Sequence, residues 1–280
     1  MQKTAIITDS TAYLDEEMQK KLMIYTIPLS VNFADATYRE GIDLTTDAFY
    51  DYLEQEEALP TTSQPAIGEF LTLLEELKEK GFTDIVSIHL SSKISGTLQT
   101  AISAGEMVDG ITVFGFDSEI SCSPQGFYVE AAARLALEGE RGSTIIKHLK
   151  AMRKQVHAYF MVNDLNHLRR GGRLNGAQAI VGSLLQIKPI LHFDEGLIMP
   201  FEKVRTEKKA LSRILDMLFV DIDKGTVNEV VVIHANRLDG AERLKSAIEE
   251  KDSTIKVNIS YFGPVIGTHL GAGSLGIGWY

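Results

Sequence analysis

The chain has 280 residues, 44% of them hydrophobic and 24% charged, a globular composition with length for one large or two ordinary domains. Its formal net charge of -10 argues against a general nucleic-acid or anionic-membrane binder, because phosphate neutralisation needs a basic face and no Lys/Arg run here is long enough. Cys122 is the single cysteine, so no intrachain disulfide can form, and no run of 18 apolar residues is present to span a bilayer.

No signal-like apolar run develops before Asp9, so a cytoplasmic location is expected. Thr4 to Thr8 reads as a short buried strand that breaks at Asp9, Ser10 and Thr11, followed by a charged helix from about Asp15 to Lys21. A second β-rich run covers Ile24 to Phe33. Thr45 and Thr46 are N-cap candidates for a helix with Phe49, Tyr52 and Leu53 on one face. Pro60 and Pro65 bracket Thr61, Thr62, Ser63 and Gln64, which predicts a rigid polar loop.

Phe70, Leu73, Leu74 and Leu77 mark an amphipathic helix ending at Gly81, and Asp84 to Leu90 is a strand. Ser91 to Thr97 is a hydroxyl-rich loop before a helix to about Met107. The cycle repeats with a strand over Ile111 to Phe116, a loop at Asp117, Ser118 and Glu119, and a helix through Ala131 to Leu137. This strand, loop, helix rhythm predicts a parallel sheet with helices on both faces. A lone Cys122 beside Ser121, Ser123 and Pro124 carries no nucleophile signature and is expected to be inert.

After a helix over Ser143 to Lys154 and a strand over Val156 to Val162 comes Leu165 to Leu174, containing Arg170, Gly171, Gly172 and Arg173. Strands near Pro189 to Phe193 and Leu197 to Val204 flank Asp194, Glu195 and Gly196, a hairpin signal. Helices over Glu207 to Asp223 and Asp239 to Glu250 alternate with strands over Glu229 to Ala235 and Lys256 to Phe262. The fold class is therefore α/β with two domains, a parallel-sheet α/β/α unit over residues 1–160 and a mixed-sheet α/β unit over 161–280. No linker is evident, so a fixed interface with a cleft is expected.

In open parallel sheets ligands bind at the carboxyl ends of the strands. Asp9 with Ser10, Thr62 with Ser63, Ser95 with Thr97, and Asp117 with Ser118 are thus expected to converge on one crevice, although each alone reads as a helix cap. The C-terminal stretch from Tyr261 to Gly276 surrounds His269 with five glycines and reads by itself as a set of turns around a core histidine. Gly271 to Gly276 matches G-x-G-x-x-G formally, but the dinucleotide reading needs a following helix and a distant acidic residue, and it is set aside. Neither a Walker motif nor a G-x-S-x-G elbow occurs, and the seven histidines lack metal-ligand spacing. A crevice of hydroxyls, a histidine and backbone amides suits a carboxylate or other small anion, with no nucleophile and base pair for catalysis.

Taken in order, Thr8-Asp9-Ser10, Thr62-Ser63-Gln64-Pro65, Ser95-Gly96-Thr97, Asp117-Ser118, Arg170-Gly171-Gly172-Arg173 and Gly263-Pro264-Val265-Ile266-Gly267 with His269 make the chain resemble the DegV family over nearly its whole length. Members of that family bind fatty acids and serve as the lipid-carrying subunit of bacterial fatty acid kinase. The resemblance implies an acyl chain buried in the first domain and its carboxylate at the interdomain cleft, with Thr62, Ser95 and His269 as head-group donors and Ser63 and Ser118 lining the same area. It implies no metal and no cofactor besides the lipid, and no catalytic residue, since a separate ATP-binding kinase subunit would form the acyl phosphate. Arg170, Arg173 and Arg205, with Lys203, Lys208 and Lys209, are candidates for docking that partner or the acyl phosphate; a solvated face is the other reading of the lysines. The ending departs from the family's usual pattern at Leu270, Ala272 and Ser274. The first domain is also similar to that of dihydroxyacetone kinases, which leaves a small carbonyl substrate held by His269 as the alternative. A regulatory or degradation factor is a third possibility, which no DNA-binding helix pair or basic surface supports.

Overall fold

The computed structural model describes residues 3–55, 59–174 and 188–280. β1 (Thr4–Asp9) is followed by α1 (Glu16–Leu22), which Asp15 caps by accepting from Met18 N, and by β2 (Ile24–Ile27). β3 (Ser30–Asn32), β4 (Thr37–Arg39), α2 (Thr46–Gln55) and β5 (Thr61–Ser63) come next. Then α3 (Ile67–Glu79), β6 (Asp84–His89), α4 (Thr97–Gly105), β7 (Thr112–Asp117), α5 (Ser123–Leu137) and α6 (Gly142–Met152) complete the first half.

Four strands form a parallel sheet in the order β2-β1-β6-β7. β1 is buried on both faces, which is why it reads as a continuous apolar run instead of an alternating one. Ala5 and Ile7 pack with Phe70, Leu74 and Leu77 of α3 and with α4, whereas Ile6 faces the cluster that contains α5 and α6 residues. Phe70, Leu74 and Leu77 recur at helical spacing, and each contributes about 2 kcal/mol by leaving water.

The second half contains β8 (His157–Met161), α7 (Leu165–Arg170), β9 (Ile190–Asp194), β10 (Leu197–Glu202), α8 (Glu207–Asp223), β11 (Glu229–His234), α9 (Leu238–Lys251), β12 (Lys256–Tyr261), α10 (Pro264–Leu270) and β13 (Leu275–Trp279). Its sheet runs β10-β9-β8-β13-β11-β12, with β11 and β12 parallel and the other pairings antiparallel. One face packs on α8 and α9 through residues such as Ile214, Leu218, Leu244 and Val232. The other face, with Phe160, Leu191, Ile198 and Ile233, joins the core cluster of the first half. That shared apolar layer between the two sheets is where the site develops.

Three segments fold differently from their sequence patterns. Ile24 to Phe33 is two strands in two sheets, broken around Pro28, which has no N–H for a ladder. Thr61–Ser63 is no loop but the edge strand of a small antiparallel sheet, β4-β3-β5, with Val31 opposite Thr62. Both flanking prolines sit outside the paired residues, where no donor is required. The glycine-rich end holds helix α10 and strand β13, the latter inserted between β8 and β11. Gly276 and Gly278 resemble turn residues in sequence, yet their bare backbones lie against Phe160 and Pro124 within the packed sheet.

The carboxyl end of β1 is fixed by a buried charge. Asp9 is fully buried and accepts from His89 Nδ1 at 2.9 Å, Leu90 N at 3.0 Å, Thr11 N at 3.1 Å, Thr11 Oγ1 at 2.5 Å and Gln125 Nε2 at 3.2 Å. Burial by itself would raise its pKa; the His89 contact, Thr11 and the Leu90 amide outweigh it and hold the carboxyl below its usual range. Ser87 Oγ lies 2.7 Å from His89 Nε2, so Ser87, His89 and Asp9 have the connectivity of a catalytic triad. Ser87 and His89 are enclosed, however, with Phe70 edge-on to the imidazole, so this chain of bonds is structural. Because the Asp9 pKa is lowered on folding, its stabilisation is present above the unfolded pKa and is lost as pH falls through the folded value. Asp9→Ala leaves several buried donors unpaired and is expected to cost roughly 3–5 kcal/mol in urea unfolding; a loss under 1 kcal/mol would show that the network contributes little.

Candidate functional site

The site forms where β5, the loop after β6, the segment after α7 and α10 meet. A polar cleft is lined by Thr62, Ser63, Gln64, Leu90, Ser95 and Gly96 from the first half and by Arg173, Val265, Ile266 and His269 from the second, together with Leu29 and Ile94. Among the described residues no Asp or Glu lines it. His269 projects from α10, which packs against α2, β3, β5 and α7, and it is buried at 8% exposure. Its Nε2 lies 2.8 Å from Thr62 Oγ1, joining residues 207 positions apart.

The environment of His269 keeps it neutral. Burial, then the nearby Arg173 charge and His167, push the imidazole down to about 3. Its Nδ1 is buried without a hydrogen-bond partner among the described residues. A Cβ at Gly171 would fall 2.1 Å from that nitrogen, so the Gly-Gly turn exists to let the ring lie against bare backbone. The same turn aims Arg173 inward. Arg173 Nε donates to Ile94 O at 3.1 Å and Nη1 to Gly171 O at 2.6 Å, and burial lowers the guanidinium pKa from its usual value. Among the described residues it is the only cationic side chain lining this cleft.

Behind the cleft runs a narrow, mostly apolar cavity. Ile94, Arg173, Ile266 and His269 line both spaces, so the two lie back to back against the same side chains. The remaining wall includes Cys122, Phe160, Phe193, Ile198, Ile233 and Phe262. The cavity therefore lies between the two sheets and takes most of its wall from beyond residue 156, whereas the family resemblance placed the acyl chain inside the first domain. Cys122 has φ 64° and ψ -162° at the start of α5, and burial pushes its thiol up to about 12, which leaves it protonated at neutral pH.

Of the residues singled out in the sequence, Thr62, Ser63, Ser95, Arg173 and His269 meet in the cleft. Ser95 Oγ also lies 2.8 Å from Thr97 Oγ1. Ser118 does not join them: it is fully buried, donates to Ile120 O at 3.0 Å and accepts from Ile120 N, closing its own turn. Asp9 is consumed by the network at β1, and Asp117 by Ser92 and the Glu119 amide, so two of the four expected loops serve the scaffold. Arg170 and Arg205 are exposed, are not among the residues lining the cleft and have no ion-pair partner among the described residues; Lys203, Lys208 and Lys209 are exposed as well. Leu270 lines the apolar cavity, Ala272 O accepts from Asn163, and Ser274 Oγ donates back to Leu270 O at 3.2 Å, closing α10. Leu90 and Ile94 were not singled out in the sequence, because apolar residues beside a strand end look like ordinary core. Among the described residues no group of three or more His, Cys, Asp or Glu is placed to hold a metal.

A histidine whose pKa falls on folding stabilises the fold fully above its unfolded value, near 6.5, and progressively less as pH falls toward 3. The difference in stability between the protein and His269→Asn is therefore expected to shrink by up to about 1.4 kcal/mol per pH unit below 6, measured by urea unfolding from pH 4 to 8. A difference that stays flat across that range would show that the imidazole is not held neutral. Gly171→Ala should break the contact between Thr62 and His269 and cost about 1–3 kcal/mol through overpacking.

The model of the DegV family of uncharacterised proteins matches residues 3–280. A DegV domain-containing protein of Halalkalibacterium halodurans is 54% identical over 280 residues, covering 100% of this chain and 99% of its own length. The crystal structure of DegV from Bacillus subtilis, described as a fatty acid binding protein, superposes with a TM-score of 0.95 at 52% identity, covering 100% of this chain and 99% of that one. A fatty acid binding DegV family protein of Streptococcus agalactiae gives a TM-score of 0.91 at 36% identity, with 100% and 99% coverage. From its third residue to its last, this chain belongs to the DegV family.

Proposed function

We propose that this protein binds a long-chain fatty acid, its carboxylate in the polar cleft and its tail in the apolar cavity, and presents it to a separate ATP-dependent fatty acid kinase subunit. The observation that carries the reading is the adjacency of a donor-bearing cleft and a narrow apolar cavity, which share Ile94, Arg173, Ile266 and His269 as wall. An acyl chain of about 15 methylenes at ~0.8 kcal/mol each offers roughly 12 kcal/mol of gross transfer energy, before the cost of ordering the chain. The tail thus supplies most of the affinity and the donors orient the head.

At the head, the tautomer of His269 sets the direction of donation. Its Nδ1 faces Gly171 with no acceptor among the described residues, which favours the proton on Nε2. His269 then donates to Thr62 Oγ1, and the Thr62 hydroxyl proton is free to donate to a carboxylate. Ser95 and the Arg173 guanidinium supply further donors in the same cleft. These groups bind and orient; none forms a nucleophile and base pair, so the site is a binding site and the phosphoryl chemistry belongs to the partner. The dihydroxyacetone-kinase-like alternative is disfavoured because both nitrogens of His269 are covered, one by Thr62 and one by Gly171. Exposed Arg170 and Arg205 are suited to contact a partner or the acyl phosphate, and the absence of any helix long and apolar enough to cross a membrane, among the described residues, fits capture of free lipid.

Denaturing extraction and mass spectrometry of the purified protein should release a long-chain fatty acid; protein that carries none and has no measurable affinity for palmitate or oleate would overturn the proposal. His269→Ala is expected to weaken lipid retention by about tenfold, the value of one lost hydrogen bond. Phosphate transfer to the bound lipid by a fatty acid kinase should fall further than that. Equal losses in both assays would contradict the division between tail and head.

A further inference from the structure

The helix that carries His269 begins without a local cap. Its N-cap is Gly263, which has no side chain, and its first residue is Pro264, which has no N–H. Val265 N is therefore the first amide of α10 that needs an acceptor. It finds one 225 residues away: Glu40 Oε1 accepts from Val265 N at 2.8 Å. The same carboxylate accepts from Tyr13 Oη at 3.1 Å and from Ser10 Oγ at 2.5 Å, and Glu40 is only 4% exposed.

The seat is built for this contact. A Cβ at Gly263 would lie 2.9 Å from Glu40 Oε1 and 2.5 Å from the Tyr13 ring, so no other residue permits the approach without displacing the carboxylate. Tyr50 Oη, from α2, donates to Phe262 O at 2.7 Å just before the helix. Val265 and His269 are four residues apart, hence on one face of the same short helix, and both line the polar cleft. A shift of the first turn is carried directly to the imidazole.

We infer that Glu40 is a positioning residue for the head-group site, its carboxylate holding the first turn of α10 so that His269, one turn on, stays within hydrogen-bond reach of Thr62. The inference rests on the reading of Thr62, oriented by His269, as a head-group donor. Burial raises the Glu40 carboxyl to about 7 against the pull of Ser10, the Val265 amide and Tyr13, with Asp9 adding to the rise. Tyr13, Tyr50, Tyr261 and Cys122 are the other titratable groups that feel this carboxylate. A neutral carboxyl keeps Oε1 as the acceptor for Val265 and can donate to Ser10, so glutamine is a close substitute and aspartate, one methylene shorter, is not.

The test compares E40Q, E40D and E40A in the full chain. Palmitate affinity should fall about tenfold in E40A and E40D and stay within about threefold of the original in E40Q. In a His269→Gln background, E40A should add less than twofold, because the residue it positions is gone. The imidazole 15N shift of His269 in lipid-free protein should move in E40D and E40A but not in E40Q, and circular dichroism identifies any variant that does not fold. E40D that binds palmitate and reports the imidazole signal as the original protein does would overturn the inference, as would an E40A loss that persists in full in the His269→Gln background. If the original protein binds no palmitate, the functional reading fails, and the lipid-free imidazole signal still decides whether Glu40 positions His269.

Discussion

The end of β1 is the constraint on which the rest of the molecule depends. Two adjacent residues there serve two directions. Asp9 gathers the donors of His89, Leu90, Thr11 and Gln125 and so fixes β6 and α5 relative to β1. Ser10 bonds to Glu40, which in turn holds the start of α10. The loop leading to Ser95 leaves from Leu90, and His269 rides on α10, so both walls of the cleft are referred to one point. A fully buried carboxylate is tolerable there because every nearby donor is used.

Below the cleft the physics changes from directional to non-directional. The cavity between the sheets is apolar and narrow, so its hold on a chain scales with buried surface and needs no special residue. The mouth holds few groups, each constrained: Thr62 by its pairing with Val31, His269 by Thr62 and Gly171, Arg173 by Ile94 O and Gly171 O. On the proposed reading, such a division would have the tail set affinity and the mouth set orientation. On the same reading, a carboxylate beside Arg173 would compete with an anionic ligand for its charge, and among the described residues none lines the cleft.

Much of the α/β rhythm was legible because period and punctuation were strong: β1, α3, β6, α8 and α9 follow their apolar patterns to within a residue or two. Elements that depend on distant partners were not. β5 has three polar residues between prolines and exists only because β3 lies beside it. β13 reads as a turn-rich tail until β8 and β11 are placed on either side of it. The hydroxyl-rich loops looked alike in sequence, yet Ser118 and Asp117 close their own turns while Thr62, Ser63 and Ser95 face the cleft. Local hydrogen bonding competes with ligand binding for the same atoms, and the outcome depends on backbone geometry.

What the sequence determined by itself was the two-unit α/β class, the lack of a nucleotide or metal motif, and the ordered set of segments that marks the family. Those are properties of period, spacing and residue type, which are local. The tertiary structure alone decided which polar residues meet in the cleft, where the apolar cavity runs, and that Glu40 reaches Val265. Each of those facts is a contact between residues far apart in the chain, and long-range contact is fixed by packing of whole elements, which no local pattern encodes.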